Sequence, residues 1–218
     1  MVDFAAARSN MVESQIRTNK VTDPHLLDAF ETTPRERFVP EPLRGIAYVD
    51  EDVALGGERF VMEPMVLARL LQAARPGPGD VALDLGCGSG YATAILSRLV
   101  ATVVALEVDA ALAAAANQTL DELEIDNALV VEGQLAEGYP KQAPYNVILL
   151  NGAVSEVPLA IADQLAEGGR LVTVVSVGAG LGRATLMRRD SGVISSRILC
   201  DASVPMLPGF EAAPGFVF

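Results

Sequence analysis

Between Asp84 and Tyr91 the chain reads Asp-Leu-Gly-Cys-Gly-Ser-Gly-Tyr, an apolar run that ends in an acid and breaks into closely spaced glycines. Gly86 lets the chain turn sharply out of a strand, Gly88 leaves room for a ligand against the backbone, and Gly90 allows the following helix to pack closely. A second apolar run, Thr102-Val103-Val104-Ala105-Leu106, ends in Glu107. That acid lies about 20 residues after the first glycine, where an ionised carboxylate at a strand's carboxyl end accepts hydrogen bonds from a ribose diol. The chemistry implied is binding of an adenosine-type cofactor that lacks a 2′-phosphate.

The glycine pattern is Gly-x-Gly-x-Gly, with Tyr91 where a dinucleotide fingerprint has Gly or Ala. With Asp84 two places ahead of Gly86, the loop resembles motif I of the class I S-adenosyl-L-methionine methyltransferases. In that family the acid before the glycines helps hold the amino-acid end of the cofactor.

The elements that must position this loop alternate regularly. Strands are expected at 81–86, 102–107, 128–132, 145–150 and 170–177, and helices at 91–100, 110–122 and 157–166. Continuous apolar runs such as Val147-Ile148-Leu149-Leu150 suit strands covered on both faces. The fold class is therefore α/β, a doubly wound, mostly parallel Rossmann-like sandwich. A tail hairpin is expected around Asp190-Ser191-Gly192, with extended residues on to Phe218. Ahead of this core, helices at about 4–18 and from Pro24 to Phe30 form an N-terminal extension, followed by an irregular stretch to Pro64 and a helix from Met65 to Ala74. The division expected is an N-terminal segment, 1–64, packed on a cofactor-binding core, 65–218. Ligands of open parallel sheets bind outside the carboxyl ends of the strands. Gly133-Gln134-Leu135 would then flank the adenine and Asn151-Gly152-Ala153 would face the methyl donor.

Half of the 218 residues are apolar and the formal net charge is −12, with a pI near 4.5. An acidic chain lacks the basic footprint of a nucleic-acid groove, and no apolar run approaches membrane-spanning length. Cys87 and Cys200 make no disulfide framework, and charges interrupt the first twenty residues, so a cytoplasmic location is expected. One histidine, His25 at a helix start, cannot build a histidine metal site, and no metal is expected.

Met11-Val12-x-x-Gln15-Ile16, Asp23, Leu27, Ala29, Pro34-Arg35, Phe38-Val39-Pro40 and Ala47-Tyr48-x-Asp50 follow one another in that order ahead of the glycine motif. From Met11 to Val177 the chain resembles the protein-L-isoaspartate O-methyltransferase family. The resemblance implies S-adenosyl-L-methionine as cofactor and methyl esterification of isoaspartyl residues in damaged proteins or peptides. It assigns cofactor contacts to Asp84, Gly86, Gly88, Gly90, Tyr91, Glu107, Val108, Gln134 and Asn151. Where the family has Gly-Gln-Thr-Ile-Ser-Gln-Pro, this chain has Glu58-Arg59-Phe60-Val61-Met62-Glu63-Pro64, so the family's proposed catalytic serine is absent. The family's Gly-Asp-Gly and Thr-Ala-Ala loops are likewise Gly133-Gln134-Leu135 and Asn151-Gly152-Ala153.

Arg59 and Met62 are thus the substrate-pocket candidates. An acceptor carboxylate is already ionised at neutral pH and needs no strong base, so positioning carries the rate. Arg59 as a bidentate clamp would preserve isoaspartyl methylation, whereas Glu58 and Glu63 could neutralise it. The alternatives are a methyltransferase for another small acceptor, its pocket made apolar by Phe60 and Met62, and a cofactor-binding protein without catalysis.

Overall fold

The computed structural model describes residues 2–178 and 180–211; the tail expected beyond these, 212–218, lies outside the described residues. Helix α1 (Phe4–Met11) continues as a π-turn at Val12–Ile16 and a 3-10 turn at Arg17–Asn19. The single helix expected to 18 is therefore α-helical only in its first half. Ser14, Thr18 and Asn19 bond back to the carbonyls of Asn10, Ser14 and Gln15, and such side chains compete with the backbone for its acceptors. Helix α2 (Pro24–Thr32) begins as its sequence signals: Asp23 accepts from the amides of His25 and Leu26, and Pro24 occupies the first turn.

The stretch expected to be irregular contains a small hairpin, β1 (Val53–Gly56) and β2 (Arg59–Val61). Gly57 and Glu58 form its tip, both at positive φ (55° and 61°), the conformation of a type I′ turn. This hairpin is a sheet of its own, with no strand pairing to the main one. Helix α3 (Pro64–Ala74) then buries Val66, Leu67, Leu70 and Leu71.

The core follows as β3 (Val81–Leu85), α4 (Tyr91–Ser97), β4 (Thr102–Glu107), α5 (Ala110–Glu122), β5 (Ala128–Glu132), β6 (Tyr145–Val154), α6 (Leu159–Ala162), β7 (Leu165–Gly178), β8 (Leu181–Asp190) and β9 (Val193–Ala202). The seven strands run in the order β5-β4-β3-β6-β7-β8-β9, parallel from β5 to β7 and antiparallel at β8 and β9. The doubly wound, mostly parallel Rossmann-like sandwich with a helical N-terminal extension is thus the observed fold. The order in which successive strands are laid down reverses at β3, with β4 and β5 on one side and β6 and β7 on the other, so the crevice at the carboxyl ends of β3 and β6 is where a ligand belongs.

Among the boundaries that differ from expectation, α4 ends three residues early and β7 begins five residues early, and β6, α6 and the tail hairpin also depart from their expected ranges. Strand β6 continues past 150 through a register shift between Leu149 and Ala153, because Ala153 exchanges backbone hydrogen bonds with Pro205 and Leu207 of the tail. Asn151-Gly152-Ala153 is therefore strand rather than loop. The helix expected at 157–166 shrinks to α6, since Gln164 is drawn into bonds with Glu137, Tyr139 and Ala160 and β7 starts one residue later. The tail hairpin expected around Asp190-Ser191-Gly192 is present, with strands of ten residues each. One face of the sheet carries the N-terminal extension, a helical preamble to the core, with α3, α4 and α5; the other buries Leu83, Leu85, Tyr145, Ile148, Leu150 and Leu207.

Candidate functional site

The glycine loop leaves β3 with Gly86, Gly88 and Gly90 all at positive φ (77°, 57° and 91°). A side chain at Gly90 would press on Ala116 of α5 at 3.2 Å, which explains glycine there as close helix packing. Gly86 and Gly88 face the crevice, and chain atoms already stand against them. A Cβ on Gly86 would lie 2.6 Å from the Leu207 side chain and 3.0 Å from Nη2 of Arg59, and one on Gly88 would lie 3.0 Å from Leu55. A Cβ on Gly152, across the crevice on β6, would lie 2.8 Å from Leu207. Leu207 thus fills the place between the ends of β3 and β6.

Asp84 is fully buried, accepting from the Thr93 hydroxyl at 2.7 Å and from the Asn151 amide at 3.3 Å. Burial, reinforced by the nearby Glu107 carboxylate, raises its pKa to about 7, with the bonds from Thr93 and Asn151 and the Arg59 charge opposing the rise. Glu107 is fully buried and has both oxygens engaged. Oε1 accepts from the amides of Val108 (2.9 Å) and Asp109 (3.3 Å) and from Arg59 Nε (3.3 Å). Oε2 accepts from the Gly88 amide (2.7 Å) and Arg59 Nη2 (2.9 Å). Nη2 also donates to the Gly86 carbonyl at 2.6 Å, and Arg59 is only 4% exposed.

This geometry corrects the expectation of a free Arg59 clamp: as folded, hairpin β1–β2 carries its guanidinium inward onto Glu107. Neither Glu58, exposed at the hairpin tip, nor Glu63 neutralises it. Glu63 instead sits near Asp50 and Asp52, its amide donating to Asp52, and burial and those two acids raise its pKa to about 7. Tyr91 is also placed differently from expectation. Its ring packs edge-on to Phe30 and Phe38 under the preamble, with the Arg35 guanidinium 4.8 Å from its centroid. Gln134 is exposed while its neighbour Leu135 turns inward, 3.6 Å from the position of a Gly86 Cβ. Met62 is buried and lines two voids beside Asn151 and Phe60. Each void is about 10 Å³, near the size of one water. Larger hollows of about 650 and 550 Å³ are open grooves lined by Arg75, Arg170, Arg188, Arg197, Lys20 and Arg69, and share no residue with the glycine loop.

The residue types fit an adenosyl group: backbone without side chains at Gly86 and Gly88, a carboxylate at Glu107 for two hydroxyl donors, and Asp84 near an amine's place. The volume is claimed by Arg59, Leu55 and Leu207. Thr93, Leu55 and Leu207 escaped the sequence reading. Thr93 had a weak signal, a hydroxyl one turn into the helix after the motif, and the two leucines had none.

The family model for protein-L-isoaspartate(D-aspartate) O-methyltransferase matches residues 6–204. The chain belongs to this family. The protein-L-isoaspartate O-methyltransferase of Roseiflexus castenholzii is 38% identical over 210 residues, covering 95% of each chain. That of a Synechococcus strain is 41% identical over 172 residues, 79% of this chain and 70% of its own. A solved protein-L-isoaspartate O-methyltransferase superposes with a TM-score of 0.80 at 25% identity, covering 93% of this chain and 66% of that one. A putative one from Plasmodium falciparum, solved with S-adenosyl-L-homocysteine, gives 0.79 at 20% identity, covering 95% and 99%. Membership makes the chain a methyltransferase of the S-adenosyl-L-methionine-dependent class. Among the described residues no helix is long and apolar enough to cross a membrane.

Proposed function

We propose that this chain is an S-adenosyl-L-methionine-dependent O-methyltransferase that esterifies the carboxylate of isoaspartyl residues in proteins or peptides. The observation that carries the reading is the glycine loop of β3 set against Glu107 at the end of β4, within a chain whose family is defined by that reaction. Asp84, Gly86, Gly88, Glu107 and Val108 would hold the cofactor, with Gln134 exposed beside the adenine side and Asn151 fixed by Asp84 toward the methyl side. When bound, the cofactor supplies a sulfonium methyl, which an acceptor carboxylate oxygen takes as the sulfur–carbon bond breaks, giving ester and S-adenosyl-L-homocysteine.

The chain's own contribution is alignment. Phe60 and Met62 replace hydroxyl anchors with an aromatic ring and a thioether, so acceptor orientation rests on shape and on whatever cation faces the void. Arg59 is the one cation among the residues lining it, beside Asp52, Phe60, Met62 and Asn151. Free cysteines and the net charge of −12 support a cytoplasmic enzyme acting on polypeptide rather than nucleic acid.

The test is transfer of labelled methyl from S-adenosyl-L-methionine to an isoaspartyl peptide, with the aspartyl isomer as control. Base-labile ester on the isoaspartyl peptide alone is expected. Labelling of neither peptide, with the cofactor shown to bind, would refute the substrate while leaving the cofactor. A second reading, methylation of an uncharged or smaller acceptor, is favoured by the apolar Phe60 and Met62, and a panel of phenols, amines and small carboxylates separates it.

A further inference from the structure

The Arg59–Glu107 pair stands where a cofactor's ribose must go. A vicinal diol offers two hydroxyl donors to one carboxylate; the guanidinium offers Nε and Nη2 to the same two oxygens, at 3.3 and 2.9 Å. The match is geometric as well as electrostatic, since a planar fork and a carboxylate pair in a bidentate fashion. No oxygen of Glu107 remains without a donor, because the amides of Gly88, Val108 and Asp109 complete its shell. The aliphatic part of the same place is filled by Leu207 and Leu55.

The three occupants come from two peripheral elements. Arg59 and Leu55 ride on the β1–β2 hairpin, whose strands pair with each other and not with the main sheet, and Leu207 rides on the segment after β9. Neither element belongs to the seven-stranded ladder; the tail segment meets it only at Ala153, at the end of β6, so displacing these two elements would leave the pairing of the other strands in place.

We propose that Arg59 is an internal competitor for the cofactor, a guanidinium that occupies the ribose-binding carboxylate of this chain and must be displaced before S-adenosyl-L-methionine can bind. This rests on the cofactor assignment of the preceding subsection. Displacement leaves a cation beside the acceptor void, whose lining contains no other, so the exchange frees a counter-ion for an acceptor carboxylate. Cofactor and anionic acceptor are thereby coupled: the first to bind uncovers the partner of the second.

The experiment is calorimetric titration of S-adenosyl-L-homocysteine, which cannot transfer methyl, into wild type and Arg59→Gln. A shorter, uncharged side chain leaves Glu107 to the ligand, and affinity at least tenfold tighter than wild type is expected. Should Arg59→Gln fail to fold by circular dichroism, Leu207→Ala opens the same place without touching the ion pair and carries the same expectation. In a second titration at saturating S-adenosyl-L-homocysteine, an isoaspartyl peptide is expected to bind wild type at least tenfold more tightly than Arg59→Gln. Equal nucleoside affinity in wild type and variants overturns the competition and leaves the cofactor assignment standing. Equal peptide affinity overturns the coupling. Folded variants that take up no S-adenosyl-L-homocysteine at millimolar concentration overturn the inference and the cofactor assignment together.

Discussion

The buried ion pair between hairpin and sheet invites a double-mutant cycle on Arg59→Met and Glu107→Gln. At the 2.9 Å separation of Nη2 and Oε2, Coulomb attraction at an effective dielectric of 20 is about 6 kcal/mol. Burying both charges costs a large part of that, so the pair contributes little net stability compared with an apolar substitute. Breaking it from one side is a different matter. Arg59→Met leaves the Glu107 carboxylate buried with three amide donors and no counter-charge, and Glu107→Gln leaves the guanidinium facing a neutral amide. Each single change is expected to destabilise by about 3 kcal/mol, which for a chain of this size lowers Tm by roughly 6 to 12 °C. The double variant retains one amide oxygen, which can accept from either Gly88 or Val108, and leaves no unpaired charge, so its loss should be close to that of one single change. The coupling energy is then about 3 kcal/mol. Urea denaturation of the four proteins, with unchanged m-values, measures it. Coupling under about 0.5 kcal/mol would mean that Arg59 does not rest on Glu107 in solution, and the reasoning built on that contact would fall.

Gly86→Ala is expected to lose about 1 to 2 kcal/mol of stability from the positive φ alone, and more from the 2.6 Å approach of its Cβ to Leu207; thermal unfolding and S-adenosyl-L-homocysteine binding should both worsen. Restoring hydroxyls with the Phe60→Thr, Met62→Ser double substitution should raise isoaspartyl methylation on the order of tenfold or more, at roughly 1 to 3 kcal/mol per recovered hydrogen bond; an unchanged rate would show that anchoring there does not limit this chain. The Glu63 pKa, raised to about 7 by burial and by Asp52 and Asp50, sets a pH dependence. Between the ordinary carboxylate range and pH 7 the folded state binds more protons at Glu63 than the unfolded state, so this group's effect is a loss of stability as pH rises through that window. Asp84, also raised to about 7, acts in the same direction. Wild type should therefore lose more stability than Glu63→Gln between pH 5 and pH 8 in chemical denaturation, and identical pH profiles would refute the assignment.

Much of the fold is readable along the chain because its signals are local. Uninterrupted apolar runs mark β3, β4 and β6, and Asp23-Pro24 marks the start of α2 through capping that needs only neighbouring residues. The β1–β2 hairpin was illegible, since strands of three or four residues carry no measurable period and the tip lacks the Asn-Gly or Asp-Gly pair that usually announces such a turn. The end of β6 and the shortness of α6 depend on partners far along the chain, the tail at Pro205–Leu207 and the Gln164 amide.

At the site the division is sharper. The glycine loop, the carboxylates Asp84 and Glu107, and the loss of hydroxyls at Phe60 and Met62 can be read along the chain, because residue type and spacing in a strand–loop–helix unit encode which backbone is bare and which acids can accept. Three-dimensional packing was needed to show that Arg59 points inward to Glu107 rather than outward to an acceptor, that Tyr91 lies under the preamble, and that Leu207 stands between Gly86 and Gly152. The physical reason is that a bent hairpin and a returning tail bring side chains 48 and 121 positions from Glu107 and Gly86 into one crevice. No local propensity records where such distant segments meet; packing in three dimensions does.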